Sequence, residues 1–272
     1  MTKEAEGQRR LIVDQFTRQA VPFRQMPAHS DRDAFRLVLS ACQLKPDDLV
    51  LDVACGPGLT ACAFAEVAAH VTGIDLTPAM IDEARSLQWE KSLGNVAWHV
   101  GDVTALPFPD AAFSVVFTRY SFHHLLDPGT VLAEMVRVAK PGGRVVVVDV
   151  YTSSPQQAEL YNQVEKLRDP SHVRALALDE LRSLFESAGL TGASTDFYNL
   201  DVSLEQLLGS SFPSAGDADK VRQIFAHDIG TDRLGVSARR VDGEIHFVFP
   251  IVILAGRKTS GTAVRTAGSD HH

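Results

Sequence analysis

Val50-Leu51-Asp52-Val53-Ala54-Cys55-Gly56-Pro57-Gly58-Leu59-Thr60 is the stretch that decides how this chain folds. An apolar run ends on an acid, crosses a small-residue turn with two glycines, and enters a helix-like pattern from Leu59 to Ala69. The order predicts strand, tight turn and helix. Glycine lets the backbone bend sharply and lets a ligand approach with no Cβ in the way. The helix N-terminus that follows offers unpaired N–H groups and the positive end of a dipole. Asp52 adds a carboxylate that prefers a cationic or hydroxyl partner. Gly56-x-Gly58-x-x-Ala61 also satisfies the dinucleotide fingerprint G-x-G-x-x-G/A, and a strand–helix turn that binds nothing has the same outline.

Outward from this turn, strand and helix patterns alternate. Strands are predicted at 71–75, 96–100, 113–118 and 144–150, the last a near-continuous valine run suited to a strand buried on both faces. Thr77-Pro78 opens a helix as cap and first residue, 130–139 is helical, and Lys140-Pro141-Gly142-Gly143 is a stop and turn. Upstream, 8–20 reads as an amphipathic helix, 21–29 as a two-proline loop and about 31–42 as a second helix. Downstream, 156–167 and 178–188 read as helices, 193–201 as a loose strand, and 203–240 as a polar helical insertion. Residues 245–254 are strand-like, with Pro250 marking a bulge or an edge. The alternation predicts an α/β fold, a parallel sheet with helices on both sides. Ligands of such sheets sit at the carboxyl ends of the strands, where Asp52, Asp75, Asp102 and Asp149 all fall. A single acid there is also ordinary turn chemistry.

The 272 residues suit one α/β domain with an insertion or a small cap. Apolar content of 45% and charged content of 22% are those of a globular chain. A net charge of −8 gives no electrostatic footprint for nucleic acid or an anionic membrane, so the expected partner is a small molecule. Cys42, Cys55 and Cys62 are odd in number and form no C-x-x-C pair, which predicts a reducing, cytoplasmic setting. No apolar run is long enough to span a membrane, and residues 1–10 lack the apolar core of a signal peptide. No His/Cys/Asp cluster has metal-ligand spacing, so no metal is expected.

Four pieces in this order and spacing resemble the class I S-adenosylmethionine (SAM)-dependent methyltransferases, closest to the ubiquinone/menaquinone-biosynthesis C-methyltransferase-like branch (methyltransferase domain type 11). They are Leu51–Gly58, Gly73–Leu76, Gly101–Phe108 and Leu132–Gly143. The resemblance spans 45–150, with a weaker echo at 8–30 and 168–190. It implies a doubly wound, mostly parallel, seven-stranded Rossmann-like sheet whose antiparallel last strand is 245–254, with a helical cap. It also implies an N-terminal helical lid at 1–44, a methyltransferase domain at 45–257 and a disordered tail at 258–272.

The cofactor implied is SAM. In that reading Gly56 and Gly58 give its methionine end close backbone approach, with Ala54 in the same turn, and Asp52 holds the methionyl amine. Asp75, 19 residues after Gly56, takes the ribose diol, whose two protons suit the two oxygens of a carboxylate. Asp102 takes the adenine amino group beside Gly101, Val103 offers a backbone N–H, and Leu76 and Met80 are apolar walls. Phe16, Phe23 and Arg24 belong to the lid, and Arg119 anchors the cofactor or a substrate anion unless it makes an ordinary surface ion pair. A nicotinamide cofactor would share the turn and the acid after it but leaves Gly101-Asp102 unexplained.

Methyl transfer is an in-line displacement in which the enzyme aligns the reactants and excludes water. A base is needed only if the nucleophile must lose a proton. His123 and His124, with Tyr120, follow the fourth strand and are the candidate catalytic residues, although either imidazole also suits a helix cap or loop filler. His172, between Arg168 and Arg174, is a substrate-side candidate, and the two arginines suit an anionic acceptor if they are not simply a solvated face. The expected activity is methyl transfer to carbon or oxygen of a small-molecule acceptor. The rivals are a SAM-binding regulator or partner-dependent subunit and a SAM enzyme of another reaction type. The sequence leaves monomer and homodimer open.

Overall fold

A computed structural model of the chain describes residues 2–26 and 32–260. The glycine stretch is strand β1 (Leu49–Val53), a turn, and a short helix α3 (Leu59–Phe64). α3 stops short of the predicted Ala69. The Asn95 amide donates to the carbonyls of Ala65 and Ala68, at 2.9 and 3.0 Å, and holds them in a turn.

β1 lies at the centre of the sheet, between β2 (His70–Asp75) and β4 (Phe113–Arg119), and parallel to both. β3 (Val96–Val100) flanks β2, and β5 (Ala139–Thr152) flanks β4. β7 (Leu190–Ser203) and β9 (Glu244–Lys258) complete the order β3-β2-β1-β4-β5-β9-β7. β9 runs antiparallel to both of its neighbours, as the last strand was expected to. Two short strands, β6 (Leu176–Ala177) on β5 and β8 (Arg239–Val241) on β9, sit off this path. The Lys140–Gly143 turn is absorbed into β5 as an irregularity, where the β4 register jumps from Ala139 to Arg144. The ladder from β9 to β5 ends at Ile251, so Pro250 lies just beyond it, still paired with β7.

Alternating strand residues feed two cores, one on each face of the sheet. Val50, Val115, Val146 and Val148 pack with Phe64 and Phe117 on one face. Leu51, Val53, Val116, Val145 and Val147 pack on the other with α5 (Pro128–Val138) and α7 (Leu178–Ser187). α2 (Arg32–Cys42) and α6 (Pro155–Arg168) contribute to the first of these cores, and α4 (Pro78–Glu90) follows β2. The 203–240 segment is not a polar appendage. Its helices α8 (Leu204–Ser211) and α9 (Asp217–Asp228) bury Leu207, Leu208, Val221 and Phe225 in the same core as Phe247.

At the N-terminus α1 (Lys3–Gln25) is longer than the predicted helix, capped by Thr2 and running through Pro22, which lies near its end. The rest of the expected loop, 27–29, and residue 31 lie outside the described residues. At the other end Lys258 is the last residue of β9, its Nζ donating to the carbonyls of Arg137 and Ala139, so the ordered chain runs past the expected tail boundary. Residues 261–272 of that tail lie outside the described residues. Among those described, no helix is long and apolar enough to cross a membrane.

Candidate functional site

The carboxyl ends of β1, β2 and β4 open into a cavity of about 320 Å³, with α1 forming one wall through Gln8, Arg9, Ile12 and Phe16. The β1 turn reaches it in left-handed backbone at Ala54 (φ +55°), Gly56 (φ +52°) and Gly58 (φ +77°). The two glycines do different work. A Cβ on Gly56 would meet nothing within 4 Å, and the residue lines the cavity. A Cβ on Gly58 would stand 2.6 Å from the Trp98 ring and 2.9 Å from the Ala84 Cβ. Gly58 therefore brings α3 against β3 and α4 and does not line the cavity. Gly101 is likewise a packing residue, its missing Cβ making room for Ile74 at 2.9 Å.

Two buried acids face this space. Asp75 accepts the Gly56 N–H at 2.9 Å and the Thr77 N–H at 2.8 Å. Burial raises its pKa, and those N–H groups oppose the rise. Asp52 is 1% exposed, and its Oδ2 has no hydrogen-bond partner. Burial pushes it up to about 8 against the pull of Arg119, with Asp75 adding to the rise. An unsatisfied buried carboxylate is costly unless a cationic donor reaches it. Arg119 also lines the cavity, its guanidinium 4.8 Å from the Phe35 ring and 4.5 Å from the Tyr120 ring. Leu76, Met80 and Val103 supply the apolar lining. Asp102 is there too, with one oxygen accepting from Thr104 and the other paired with Arg9 at 3.3 Å. Arg24 is not part of the lining. It pairs with Glu83 at 3.2 Å and with Glu90, and so ties α1 to α4.

A second cavity, of about 80 Å³, adjoins the first. Phe16, Phe23, Tyr120 and His124 line both. His123 lines the smaller one. It belongs to a single 3-10 turn, Phe122–His124, set by Asp149 of the neighbouring strand β5. Asp149 accepts the Phe122 N–H at 2.6 Å and faces His123 Nδ1 at 2.5 Å. Burial lowers the His123 pKa, but the charge and hydrogen bond of Asp149 outweigh it and the net shift is upward. His124, the next residue, goes the other way, to about 4, through burial and then the His123 charge. Its Nδ1 lies 3.1 Å from the Ser171 carbonyl, and its ring meets the Phe16 ring edge-on at 5.0 Å.

His172 lines neither cavity. It is buried, with Nε2 on Asn162 at 2.8 Å, and burial lowers its pKa strongly. The arginines beside it do not form an anion clamp. Arg168 is buried against Glu165, at 2.6 Å, and Arg174 pairs on the surface with Glu180, at 2.8 Å. The partnership of Asp149 with His123, and Tyr161 in the smaller cavity, were not read from the sequence. Asp149 was visible only as one more strand-end acid, and Tyr161 gave no signal.

Residues 51–147 match the family described as a methyltransferase domain. The uncharacterized methyltransferase YcgJ of Bacillus subtilis is 29% identical over 249 residues, covering 89% of this chain and 97% of the relative. The YcgJ crystal structure superposes with a TM-score of 0.78 over 85% of this chain and 100% of that one, at 28% identity. The 27-O-demethylrifamycin SV methyltransferase of Amycolatopsis mediterranei is 31% identical over 56% of this chain and 57% of its own. The ubiquinone/menaquinone biosynthesis C-methyltransferase UbiE of Desulfotalea psychrophila is 32% identical over 60% of this chain and 65% of its own.

The geometry sets two expectations. Gly56→Ala adds only left-handed strain, about 1 kcal/mol. Gly58→Ala adds a steric clash as well and destabilises by about 3 kcal/mol. Urea denaturation separates them, and equal midpoints for the two variants would contradict the packing role of Gly58. Histidine ring NMR should find His123 titrating above 6.5 and His124 near 4. Since His124 stays neutral in the folded chain while the unfolded chain takes up its proton, its contribution to stability is lost as pH falls from 6.5 toward 4. His123 contributes oppositely, with stability present below 6.5 and lost as pH rises through its raised pKa.

Proposed function

We propose that this chain, which belongs to the class I SAM-dependent methyltransferases, binds SAM in the larger cavity and methylates a small molecule held in the smaller one. The observation that carries the cofactor reading is the Asp52 carboxylate, buried, without a partner at Oδ2 and facing the cavity. It fits the methionyl ammonium group, which would satisfy the carboxylate and lower its raised pKa. Gly56 leaves open space beside it, in keeping with close backbone approach. Asp75 has lone pairs left for the ribose hydroxyls after its two backbone bonds. Leu76, Met80 and Val103 offer an apolar slot for adenine beside Asp102. Bound there, SAM supplies an activated methyl on a sulfonium.

The chain's own part is alignment, exclusion of water and custody of one proton. Phe16, Phe23, Tyr120 and His124 sit at the boundary of the two cavities and would keep the reacting centre dry. With Nδ1 of His123 held by Asp149, Nε2 is the nitrogen available to take a proton from the acceptor. A base of this kind suits an acceptor oxygen or an acidic carbon, each of which must shed a proton. We assign His123 that role, with Asp149 positioning it and His124 serving as a neutral wall. A SAM-binding subunit without activity of its own would have no use for this pair.

S-adenosylhomocysteine, which keeps the amino-acid ammonium, is the test ligand. At pH 7 Asp52, raised to about 8, holds a proton that the ammonium displaces. Calorimetry in buffers of different ionisation enthalpy should therefore show proton release on binding. Asp52→Asn should abolish that release and weaken binding on the order of tenfold or more. Unchanged affinity and proton count in this variant would remove the basis of the cofactor assignment.

A further inference from the structure

The smaller cavity holds a second buried polar atom with no partner. Tyr161 of α6 is 4% exposed and lines this cavity, and its hydroxyl makes no hydrogen bond among the described residues. A buried hydroxyl left unpaired costs free energy that phenylalanine would not. The lining is mixed, apolar at Val150, Leu200, Leu207, Phe249 and Ile251 and polar at Gln19, Ser210, Ser211 and the charged Glu165, Arg168 and Asp169.

The charges that face the cavity are all spoken for within the protein. Arg168 donates from Nε and Nη2 to Glu165, at 3.0 and 2.6 Å, and from Nη1 to the Ser211 hydroxyl at 2.9 Å. Asp169 accepts from the backbone and side chain of Ser171 and from Gln19. His123, which also lines the cavity, is held from behind by Asp149. Glu165, Arg168 and Asp169 are thus paired with one another or with neutral donors and acceptors, and an ionised acceptor would find no free counter-charge in exchange for the hydration it loses in a buried site.

Resting on the proposed methyl transfer, we infer that the acceptor is an uncharged molecule whose hydroxyl bonds to Tyr161. Tyr161 is then a specificity residue that distinguishes a hydroxylated acceptor from its hydrocarbon counterpart. The charge pairing of Glu165 and Arg168 excludes ionised analogues of the same shape.

Four probes of matched shape test this on the full chain carrying S-adenosylhomocysteine: 4-ethylphenol, ethylbenzene, 4-hydroxyphenylacetate and tyramine. Binding is read by calorimetry and by ligand-observed NMR. The expected result is that 4-ethylphenol binds at least tenfold more tightly than each of the other three. Tyr161→Phe should leave Tm unchanged or higher, because no protein hydrogen bond is lost, and should bring 4-ethylphenol down to the level of ethylbenzene. The inference is overturned if the anion or the cation binds as well as 4-ethylphenol. It is equally overturned if Tyr161→Phe leaves the phenol-to-hydrocarbon ratio intact, or if no probe binds to the loaded protein. Failure of S-adenosylhomocysteine itself to bind would instead sink the proposed function.

Discussion

The Asp75 carboxylate is the joint on which the ligand edge of the sheet depends. Its oxygens take the Gly56 N–H from the turn after β1 and the Thr77 N–H from the start of α4. Two loops from adjacent strands are thereby fixed to a single side chain, and the backbone around Gly56 is held open. The same burial that makes these bonds strong raises the pKa of the acid. Asp52 shares the predicament with less relief, since one of its oxygens has no donor. The edge of the sheet is thus organised around two buried acids whose ionised forms the protein does not fully satisfy. This is a cost to the folded chain of the kind that a cationic partner would offset.

The fold was legible because its signals are local. The period of the valine strands, the glycine turn and the Thr77-Pro78 helix start each act within a few residues. Of the candidate site residues, those whose position follows from a strand end, such as Asp52 and Asp75, were expected at the ligand edge and do line the larger cavity. The packing place of Gly58, outside the cavity lining, was not legible because what it accommodates, the Trp98 ring, lies 40 residues further along the chain. Arg24 and His172 were misplaced for a similar reason. Helix periodicity does not say that Glu83 and Glu90 of α4 will face α1, nor that Asn162 will close over His172. The polar look of 203–240 concealed helices whose apolar residues reach the main core.

His123 and His124 show how little separates opposite chemistry. They are adjacent in one 3-10 turn, and their ring centres are 4.2 Å apart. Asp149 stands behind one of them, while the other contacts a carbonyl and a phenylalanine edge. One imidazole is made more basic and the other less so, and the charge of the first helps to depress the second. Only one of the pair is thus suited to taking a proton near neutrality. The pairing needs β5 beside β4, which brings Asp149 level with the segment that follows Arg119.

Helix α1 is fastened to the body by glutamine amides as well as by the ion pairs of Arg9 and Arg24. Gln8 donates to the carbonyls of His124 and Ser171, Gln15 to that of Ser211, and Gln19 to Asp169. Bonds of this sort exchange with water at little net cost, unlike an apolar seam. The same helix is a wall of both cavities through Phe16 and Phe23. The two compartments therefore share one wall, and any displacement of α1 would open both at once.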